Sequence, residues 1–257
     1  MQYLLSQASR SIVARLAQER TLCAFDFDGT LSPIADHPDD AGIADRTRDL
    51  LAGLAALYPC VIVSGRARAD VLEKLGGVKV ASVIGNHGAE TESSVRQWRS
   101  EIDQWKEALE VKLIGIPGVW VEDKGLSLAI HYRQSAPALQ ARRTILAATR
   151  DLRHVRVFGG KRVVNLTVEG APHKGGALAA ERHRLKCDWV LYLGDDENDE
   201  DAFALAGDVV SVRIGLSRRS HARYYLRTQK EVDELIERLI VLRKLENRSS
   251  EQAAKRL

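Results

Sequence analysis

Two aspartates separated by one residue stand at the end of an apolar run near the start of the chain. Asp26 closes a strand predicted over residues 22–27, and Asp28 follows in the pattern Asp-x-Asp-Gly-Thr, where Gly29 permits a turn. A carboxylate in such a place is costly unless it is paired or binds a metal. Sites in open parallel sheets form beyond the carboxyl ends of the strands. One carboxylate there could attack phosphorus while the other acts as a general acid and base.

A second acidic run follows a later predicted strand over residues 189–193. Asp195, Asp196 and Asp199 occur within five residues, with Asn198 between them. A divalent cation would offset the repulsion among these carboxylates, and hard oxygen ligands favour Mg²⁺. The alternative is an acidic helix N-terminus, where Asp and Glu interact favourably with the helix dipole. Both interpretations are compatible, with Asp195 binding a metal while the later residues serve the helix.

Alternating helices and strands must position these residues. Apolar strands are predicted over residues 22–27, 60–64, 80–84, 189–193 and 208–213. Helical patterns cover residues 2–18, 44–57, 67–75, 174–185 and 199–206, with a closing helix near 230–245 and a frayed tail after about 247. Continuous apolar strands separated by helices indicate a parallel sheet covered on both faces. The fold class predicted is therefore α/β, with a Rossmann-like core.

The middle of the chain has a different pattern. A helix over 94–112 precedes strands over 119–122 and 126–132, joined by a turn at Asp123-Lys124-Gly125. A helix over 138–151 and strands over 154–158 and 162–168 follow. This order predicts a compact α+β module inserted into the parallel domain. We assign residues 1–90 and 168–257 to the core and residues 91–167 to the insertion, with hinges near 89–92 and 166–172.

The composition limits the classes of function that the protein can have. The chain has 257 residues, a net charge of +3 and 45% hydrophobic residues, which suits a globular protein with a sizeable core. The mild positive charge suits an anionic small molecule and lacks the clustered basic patch of a nucleic-acid binder. With no run of 18 apolar residues, no membrane span is expected. No feature fixes the oligomeric state, and a monomer is compatible with the sequence.

The three cysteines indicate a reducing environment. Cys23, Cys60 and Cys187 are far apart in sequence and form no CxxC pair. Cys23 and Cys60 lie in apolar strands, where free thiols behave as small hydrophobic groups. Because no disulfide framework is present, a cytoplasmic location is expected.

The order of the motifs resembles the haloacid dehalogenase superfamily of phosphatases. After Asp-x-Asp-Gly-Thr come Ser64-Gly65 at a strand end, Lys174 at a helix start, and the acidic run. The resemblance implies a nucleophile, Asp26, a general acid and base, Asp28, and two phosphate-binding residues, Ser64 and Lys174. It implies Mg²⁺ held by Asp26, Asp195 and the backbone carbonyl of Asp28. Supporting positions would be Gly29, Thr30, Gly65, Asp196, Asn198 and Asp199.

Further stretches resemble the trehalose-6-phosphate phosphatase family within this superfamily. They are Gly85-Asn86-His87-Gly88-Ala89-Glu90, His131-Tyr132-Arg133, Gly160-Lys161 and the acidic run, so the resemblance extends from about residue 25 to 214. It implies that the insertion is a cap that closes over the site and recognises a phosphosugar. The substrate-binding residues would be Arg66, Asn86, His87, Gly88, Glu90, Arg133, Lys161 and Asn165.

One position departs from the family pattern. Asn165 stands four residues after Lys161, where a glutamate that binds sugar hydroxyls is usual, and the Arg-Pro that normally follows is absent. Asparagine keeps one acceptor but loses the charge. This favours either weaker binding of trehalose 6-phosphate, with Glu169 as a possible substitute, or another phosphosugar such as sucrose phosphate or a glucosyl-glycerol-type phosphate. A receiver domain is disfavoured by the length of the chain, and an inactive binding protein by the intact motifs.

Overall fold

The computed structural model describes residues 1–35, 38–91 and 98–254. Within these ranges the strands are β1 (Gln2–Tyr3), β2 (Thr21–Phe25), β3 (Cys60–Val63), β4 (Ser82–Ile84), β5 (Trp120–Asp123), β6 (Ser127–His131), β7 (Val155–Gly160), β8 (Val163–Val168), β9 (Trp189–Gly194), β10 (Val209–Ile214) and β11 (Tyr224–Leu226). The α-helices are α1 (Arg10–Gln18), α2 (Asp45–Ala55), α3 (Arg68–Lys74), α4 (Arg99–Leu113), α5 (Ala138–Ala148), α6 (Lys174–Arg184), α7 (Glu200–Phe203) and α8 (Glu231–Ala254).

A seven-stranded parallel sheet carries the sequence motifs. Its order is β1-β11-β10-β9-β2-β3-β4, so β2 lies between β9 and β3. Phe25, the last residue of β2, is in register with Leu193 of β9 and Ile62 of β3. The carboxyl ends of the three central strands therefore meet at one edge, as the α/β prediction requires.

Both faces of this sheet are covered, which explains the continuous apolar strands. Phe25 and Ile62 pack on one face with the cluster that includes Leu51 of α2 and Leu235 of α8. Neighbouring strand residues such as Ala24 point to the opposite face, where helices α6 and α7 add apolar side chains. Successive strand residues alternate between the two faces, so a strand buried on both sides is apolar throughout.

A separate four-stranded antiparallel sheet has the order β5-β6-β8-β7. One of its faces packs against α4 and α5 through residues such as Ile130 and Leu166. The other face is formed by alternate positions, including Glu122, His131 and Asn165. These positions line a cavity between the antiparallel sheet and the strand ends of the parallel sheet.

The structure corrects two predictions near the chain ends and adds a strand that was not predicted. The helix predicted over 2–18 is α1 alone, because Gln2–Tyr3 pairs with β11 as an edge strand, and β11 itself was not predicted. The closing helix α8 continues to Ala254, well beyond residue 245. Its last turns contain helix-favouring residues such as Glu, Gln and Ala, and neither Gly nor Pro interrupts them. Of the helix predicted over 94–112, residues 94–97 lie outside the described residues.

Two smaller predictions concern thiols and membranes. Cys23 and Cys60 are free and buried, as predicted, and Cys187 is also free and buried. Burial, reinforced by the neighbouring Cys60, raises the pKa of the Cys23 thiol well above its usual value. In the described ranges of the chain, no helix has the length and apolar character needed to cross a membrane.

Candidate active site

The carboxylate that follows β2 is buried and paired with a lysine. Asp26 is only 5% exposed, and its backbone N–H donates to the carbonyl of Leu193 at 2.8 Å. Lys174, the first residue of α6, places its Nζ 2.7 Å from Asp26 Oδ1. The same ammonium is 2.7 Å from Asp199 Oδ1. One buried cation is thus shared by two buried carboxylates that come from different parts of the chain.

Asp199 braces the loop that follows β9. Its Oδ1 accepts from Lys174 and, at 2.6 Å, from the hydroxyl of Tyr192. Its Oδ2 accepts from the backbone N–H groups of Asp195 and Asp196 at 2.9 and 3.0 Å. A carboxylate has about four lone-pair sites, so these bonds use the whole acceptor capacity of Asp199. Its carboxylate therefore shapes the loop that presents Asp195.

The three carboxylates of Asp26, Asp195 and Asp199 outnumber the two ammonium groups that contact them, those of Lys174 and Lys161. Burial raises the pKa of Asp26 well above its usual value, and the nearby Asp199 and Asp195 outweigh part of the help from Lys174. Burial together with Asp199 raises the pKa of Asp195 to about 6. For Asp199, burial is overcome by the charge of Lys174 and by its hydrogen bonds, so its pKa is lowered. Asp26 contacts the ammonium of Lys174 and Asp195 contacts that of Lys161, yet the pKa of each carboxyl is raised because burial and the neighbouring carboxylates outweigh these contacts.

These residues fit a divalent metal ion. Oxygen atoms of Asp26, Asp195 and Asp199 lie within 4.8 Å of one another. Since the oxygens of Asp199 are fully engaged, Asp26 and Asp195 are the carboxylates available as ligands. The Nζ of Lys161 contacts Asp195 Oδ2, so a cationic group already approaches this carboxylate. All-oxygen donor sets of this kind suit Mg²⁺.

Several buried polar atoms in the described part of the chain make no hydrogen bond. They include Thr30 Oγ1, Asn198 Oδ1 and both ring nitrogens of His87. Asn198 also lines the cavity next to Asp195 and Asp196. Buried polar atoms are normally satisfied, so the cavity-lining Asn198 oxygen is a candidate contact for a bound group.

A guanidinium holds the second aspartate of the motif. Arg66 donates from Nε and Nη2 to the two oxygens of Asp28, at 2.6 and 2.8 Å, and from Nη1 to Asp70 at 2.6 Å. It also lies over the ring of Phe27, 5.6 Å from its centroid. Burial alone would lower the pKa of Arg66, but its bonds to Asp28 raise it. The sequence resemblance implies that Arg66 binds substrate; in the structure its hydrogen bonds orient Asp28.

Glycines allow close approach at two predicted supporting positions. Gly29 has φ of 82°, and a Cβ atom there would collide with the carboxylate of Asp195. At Gly65 a Cβ atom would overlap the imidazole of His87. Any larger residue would push these groups away from the strand ends. Both glycines are therefore required by the geometry of the site.

Ser64 and His87 are buried beside the cluster. The hydroxyl oxygen of Ser64 accepts from the backbone N–H of Arg66 at 3.1 Å. The imidazole of His87 lines the cavity and packs edge-on against Phe158, with ring centroids 4.9 Å apart. Burial, together with the charges of Lys124 and Lys174, lowers the pKa of His87 well below its usual value. His87 is thus neutral at pH 7.

The other predicted residues of this loop connect the two sheets and do not line the cavity. Asn86 Nδ2 donates to Glu90 Oε2 at 2.6 Å and to the carbonyl of Lys124 at 3.0 Å, while Asn86 Oδ1 accepts from Ser127. Gly88, with φ of 111°, lies against the backbone before Lys174. These contacts fix the β5–β6 turn of the antiparallel sheet against the parallel core.

A cavity of about 410 Å³ lies between the two sheets. Asp26, Asp28 and Asp195 form part of its floor, and the predicted residues Arg133, Lys161 and Asn165 lie in the opposite wall. Arg133 donates to the carbonyls of Ala35 and Lys161. The backbone N–H of Lys161 donates to Asp196 at 2.9 Å. A volume of this size falls within the usual range for small-molecule sites.

A comparison of the sequence with models of known protein families agrees with the motifs and their geometry. The trehalose-phosphatase family model matches residues 24–226, which include the cluster and the antiparallel sheet. The chain belongs to the trehalose-phosphatase family.

Individual members support this assignment. A trehalose-phosphate phosphatase of Mycobacterium tuberculosis is 34% identical over 209 residues, covering 71% of this chain and 50% of the relative. A probable trehalose-phosphate phosphatase of Oryza sativa is 30% identical, covering 90% and 72% of the two chains. The C-terminal domain of a C. albicans trehalose-6-phosphate phosphatase has the same fold, with a TM-score of 0.75, 23% identity and coverage of 90% and 96%. The chain spans only about half the length of the mycobacterial relatives.

Sequence reasoning missed several cavity residues of this trehalose-phosphatase family member. Trp120, Glu122 and Lys124 all line the cavity. Lys124 donates to the carbonyl of Gly65 at 3.3 Å, and its burial lowers its pKa. The sequence analysis considered Lys124 only as part of a turn. The alternation of β5 with β6 was the available signal, because it puts Trp120 and Glu122 on the same face as His131.

Proposed function

We propose that this chain hydrolyses trehalose 6-phosphate to trehalose and phosphate through an aspartyl-phosphate intermediate on Asp26. The observation that carries the proposal is the buried cluster of Asp26, Lys174 and Asp199 at the floor of a polar cavity. Membership of the trehalose-phosphatase family supports the choice of substrate. In this proposal, residues 1–90 and 168–257 form the catalytic core, and residues 91–167 form a cap that recognises the sugar.

The first chemical step uses two aspartates. A carboxylate oxygen of Asp26 attacks phosphorus in line as the bond from phosphorus to the sugar oxygen breaks. Asp28, in its protonated form, gives its proton to the departing sugar oxygen. The ammonium of Lys174, already 2.7 Å from Asp26 Oδ1, offsets the negative charge shared by carboxylate and phosphoryl group.

The second step reverses the role of Asp28. Its carboxylate takes a proton from a water molecule, which attacks phosphorus and releases Asp26 and inorganic phosphate. Arg66 supports this second step, because its paired bonds reach both oxygens of the Asp28 carboxylate and fix its direction. A Mg²⁺ ion held by Asp26, Asp195 and the carbonyl of Asp28 would supply the charge compensation that phosphoryl transfer requires.

The proposal is tested by phosphate release from a panel of phosphosugars with Mg²⁺. Trehalose 6-phosphate, sucrose 6-phosphate and glucose 6-phosphate are compared by kcat/KM. We expect trehalose 6-phosphate to be preferred by about a hundredfold, which corresponds to roughly 2.7 kcal/mol of transition-state discrimination. Weak and even turnover of all three would retain the aspartyl-phosphate chemistry and refute the substrate. A preference for sucrose 6-phosphate would favour the alternative that Asn165 suggests.

Metal removal should abolish turnover. With excess EDTA we expect phosphate release from trehalose 6-phosphate to stop, and an excess of Mg²⁺ to restore it. Protons compete with metal for carboxylate ligands. Since the pKa of Asp195 is raised to about 6, its carboxyl is increasingly protonated below pH 6. The Mg²⁺ concentration for half-maximal activity should therefore rise as pH falls from 7 to 5. Full turnover in EDTA would contradict the metal assignment.

Replacing Asn165 with the glutamate that is usual in the family should raise the activity of the enzyme towards trehalose 6-phosphate. Asn165 is 2% exposed in β8 and lines the cavity. Charge-assisted hydrogen bonds are about twice as strong as neutral ones, so Asn165→Glu should raise kcat/KM for trehalose 6-phosphate by roughly tenfold, or about 1.4 kcal/mol. Asn165→Gln is the matched control for side-chain length without charge. If neither variant differs from the wild type, Asn165 does not contact the sugar.

The sequence also leads us to propose a cytoplasmic location for the protein and to expect no nucleic-acid partner. The hinge segments near 89–92 and 166–172 would have to move if the cap opens to admit substrate.

A further inference from the structure

An indole lines the cavity from the edge strand of the cap sheet. Trp120 is the first residue of β5, is 42% exposed and shares the cavity wall with Glu122 and Lys124. A single exposed apolar side chain is ordinary on a protein surface. The position and the support of this indole distinguish it from such a residue.

The indole of Trp120 is held in a fixed orientation. It stacks on the imidazole of His131, its cross-strand partner, with ring centroids 4.0 Å apart and planes at 11°. His131 Nε2 is in turn 2.7 Å from Glu122 Oε2, on the same face of the sheet. Cross-strand pairs of this kind stabilise a sheet and fix side-chain directions. A rigid flat apolar surface binds a ligand with little loss of conformational entropy.

The register of the cap sheet places Trp120 far from the phosphate end of the cavity. The β7–β8 turn carries Lys161, whose ammonium contacts Asp195 beside the nucleophile. Val163 of β8, next to that turn, is in register with His131, and His131 with Trp120. Two strand spacings therefore separate Val163 from Trp120, which is about 10 Å. If the phosphate is bound beside Asp26, the sugar ring that carries it would lie near the turn, and a second ring would extend towards β5.

We infer that Trp120 is the platform for the second, unphosphorylated ring of a disaccharide phosphate. This inference rests on the proposed phosphatase function and adds a residue that determines specificity. A pyranose ring has an apolar C–H face that stacks on an indole, while its hydroxyl groups point outward from the ring edge. Glu122 and Arg133 also line the cavity, and their side chains would form hydrogen bonds with such hydroxyl groups. A monosaccharide phosphate ends before it reaches this surface.

The experiment compares two variants with a matched control. Trp120→Leu keeps an apolar side chain without the flat ring, and Trp120→Phe keeps a smaller ring. Leu139→Ala is the control, because Leu139 is 62% exposed on α5 and does not line the cavity. For each protein, kcat and KM are measured with trehalose 6-phosphate and glucose 6-phosphate, and thermal unfolding confirms that the variant is folded.

For Trp120→Leu we expect a rise in KM for trehalose 6-phosphate of about tenfold, equivalent to about 1.4 kcal/mol, with kcat within twofold. For glucose 6-phosphate both constants should stay within twofold. Trp120→Phe should fall between Trp120→Leu and the wild type, and Leu139→Ala should match the wild type. Equal losses on both esters would mean that Trp120 only maintains the cap, and unchanged constants would mean that the sugar does not reach it. Either result overturns the stacking role.

Failure of the inference is distinguishable from failure of the proposed function. A wild-type enzyme that prefers glucose 6-phosphate refutes the proposed substrate before any variant is compared. A wild-type enzyme that prefers trehalose 6-phosphate, with a Trp120→Leu variant that keeps that preference, refutes the stacking role alone. The preference of the wild type and the change in that preference are thus two separate readouts.

Discussion

Asp26→Asn should abolish phosphate release while the protein remains folded. An amide is a poor nucleophile, so we expect kcat for trehalose 6-phosphate to fall by at least ~10⁴-fold, as for other nucleophiles that act within a unit. The amide oxygen still accepts a hydrogen bond from Lys174, whose charge stays paired with Asp199. The loss of activity is therefore chemical, and the far-UV circular dichroism spectrum should match that of the wild type.

The same variant should keep or gain thermal stability. Burial raises the pKa of Asp26 well above its usual value. A group with a higher pKa in the folded state binds its proton more tightly there, so its ionised form costs stability once pH exceeds the unfolded value of about 3.9. Removing the charge removes this cost at pH 7 in the absence of metal. A midpoint of unfolding clearly below that of the wild type would contradict this account.

A matched control tests whether the loss of activity is specific to Asp26. Asp208 is exposed and lies outside the cavity. Asp208→Asn should retain both the activity and the midpoint of the wild type. An amide is too weak a nucleophile to sustain efficient covalent catalysis. If Asp26→Asn kept activity within about tenfold of the Asp208→Asn control, Asp26 would therefore not be the nucleophile.

The floor of the site was predictable because parallel strands bring their carboxyl ends to one edge. Asp26 and Asp195 follow strands that are neighbours in the sheet, and the resemblance to the phosphatase superfamily had already implied that they share one site. Lys174 begins a helix that packs on the same sheet, and the order of motifs identified it. The hydrogen bonds by which Asp199 holds the loop were not predicted, because the run of acidic and polar residues around it leaves the role of each one ambiguous in sequence.

The walls of the cavity were less predictable for a different reason. Trp120 and Lys124 reach the cavity only because the antiparallel sheet lies over the strand ends, and no local pattern encodes the orientation of one sheet over another. Asn86, predicted to contact substrate, joins the two sheets through Lys124 and Ser127. Such contacts depend on long-range packing, which residue types and spacing do not specify.

Replacing Asp199 should damage both stability and activity, in contrast to Asp26→Asn. An asparagine has one acceptor oxygen and one amide that only donates. If the oxygen stays with Lys174 and Tyr192, the amide nitrogen faces the backbone N–H groups of Asp195 and Asp196. Both sides of this contact are then hydrogen-bond donors, so neither backbone N–H keeps its acceptor. Lys174 also loses its compensated partner, which leaves a buried ammonium beside an aspartate that burial disfavours in its charged form.

Breaking a buried pair in this way costs about 3–5 kcal/mol. At roughly 2–4 °C per kcal/mol for a chain of this size, Asp199→Asn should lower the midpoint of unfolding by about 6–20 °C relative to the Asp208→Asn control. Since Asp199 positions the loop of Asp195, kcat should also fall by roughly 10²-fold. A variant that keeps its midpoint and loses only activity would instead make Asp199 a direct ligand of metal or phosphate. The two neighbouring carboxylates can thus be distinguished by experiment. Loss of the Asp26 charge should abolish activity without lowering stability, whereas loss of the Asp199 charge should lower both stability and activity.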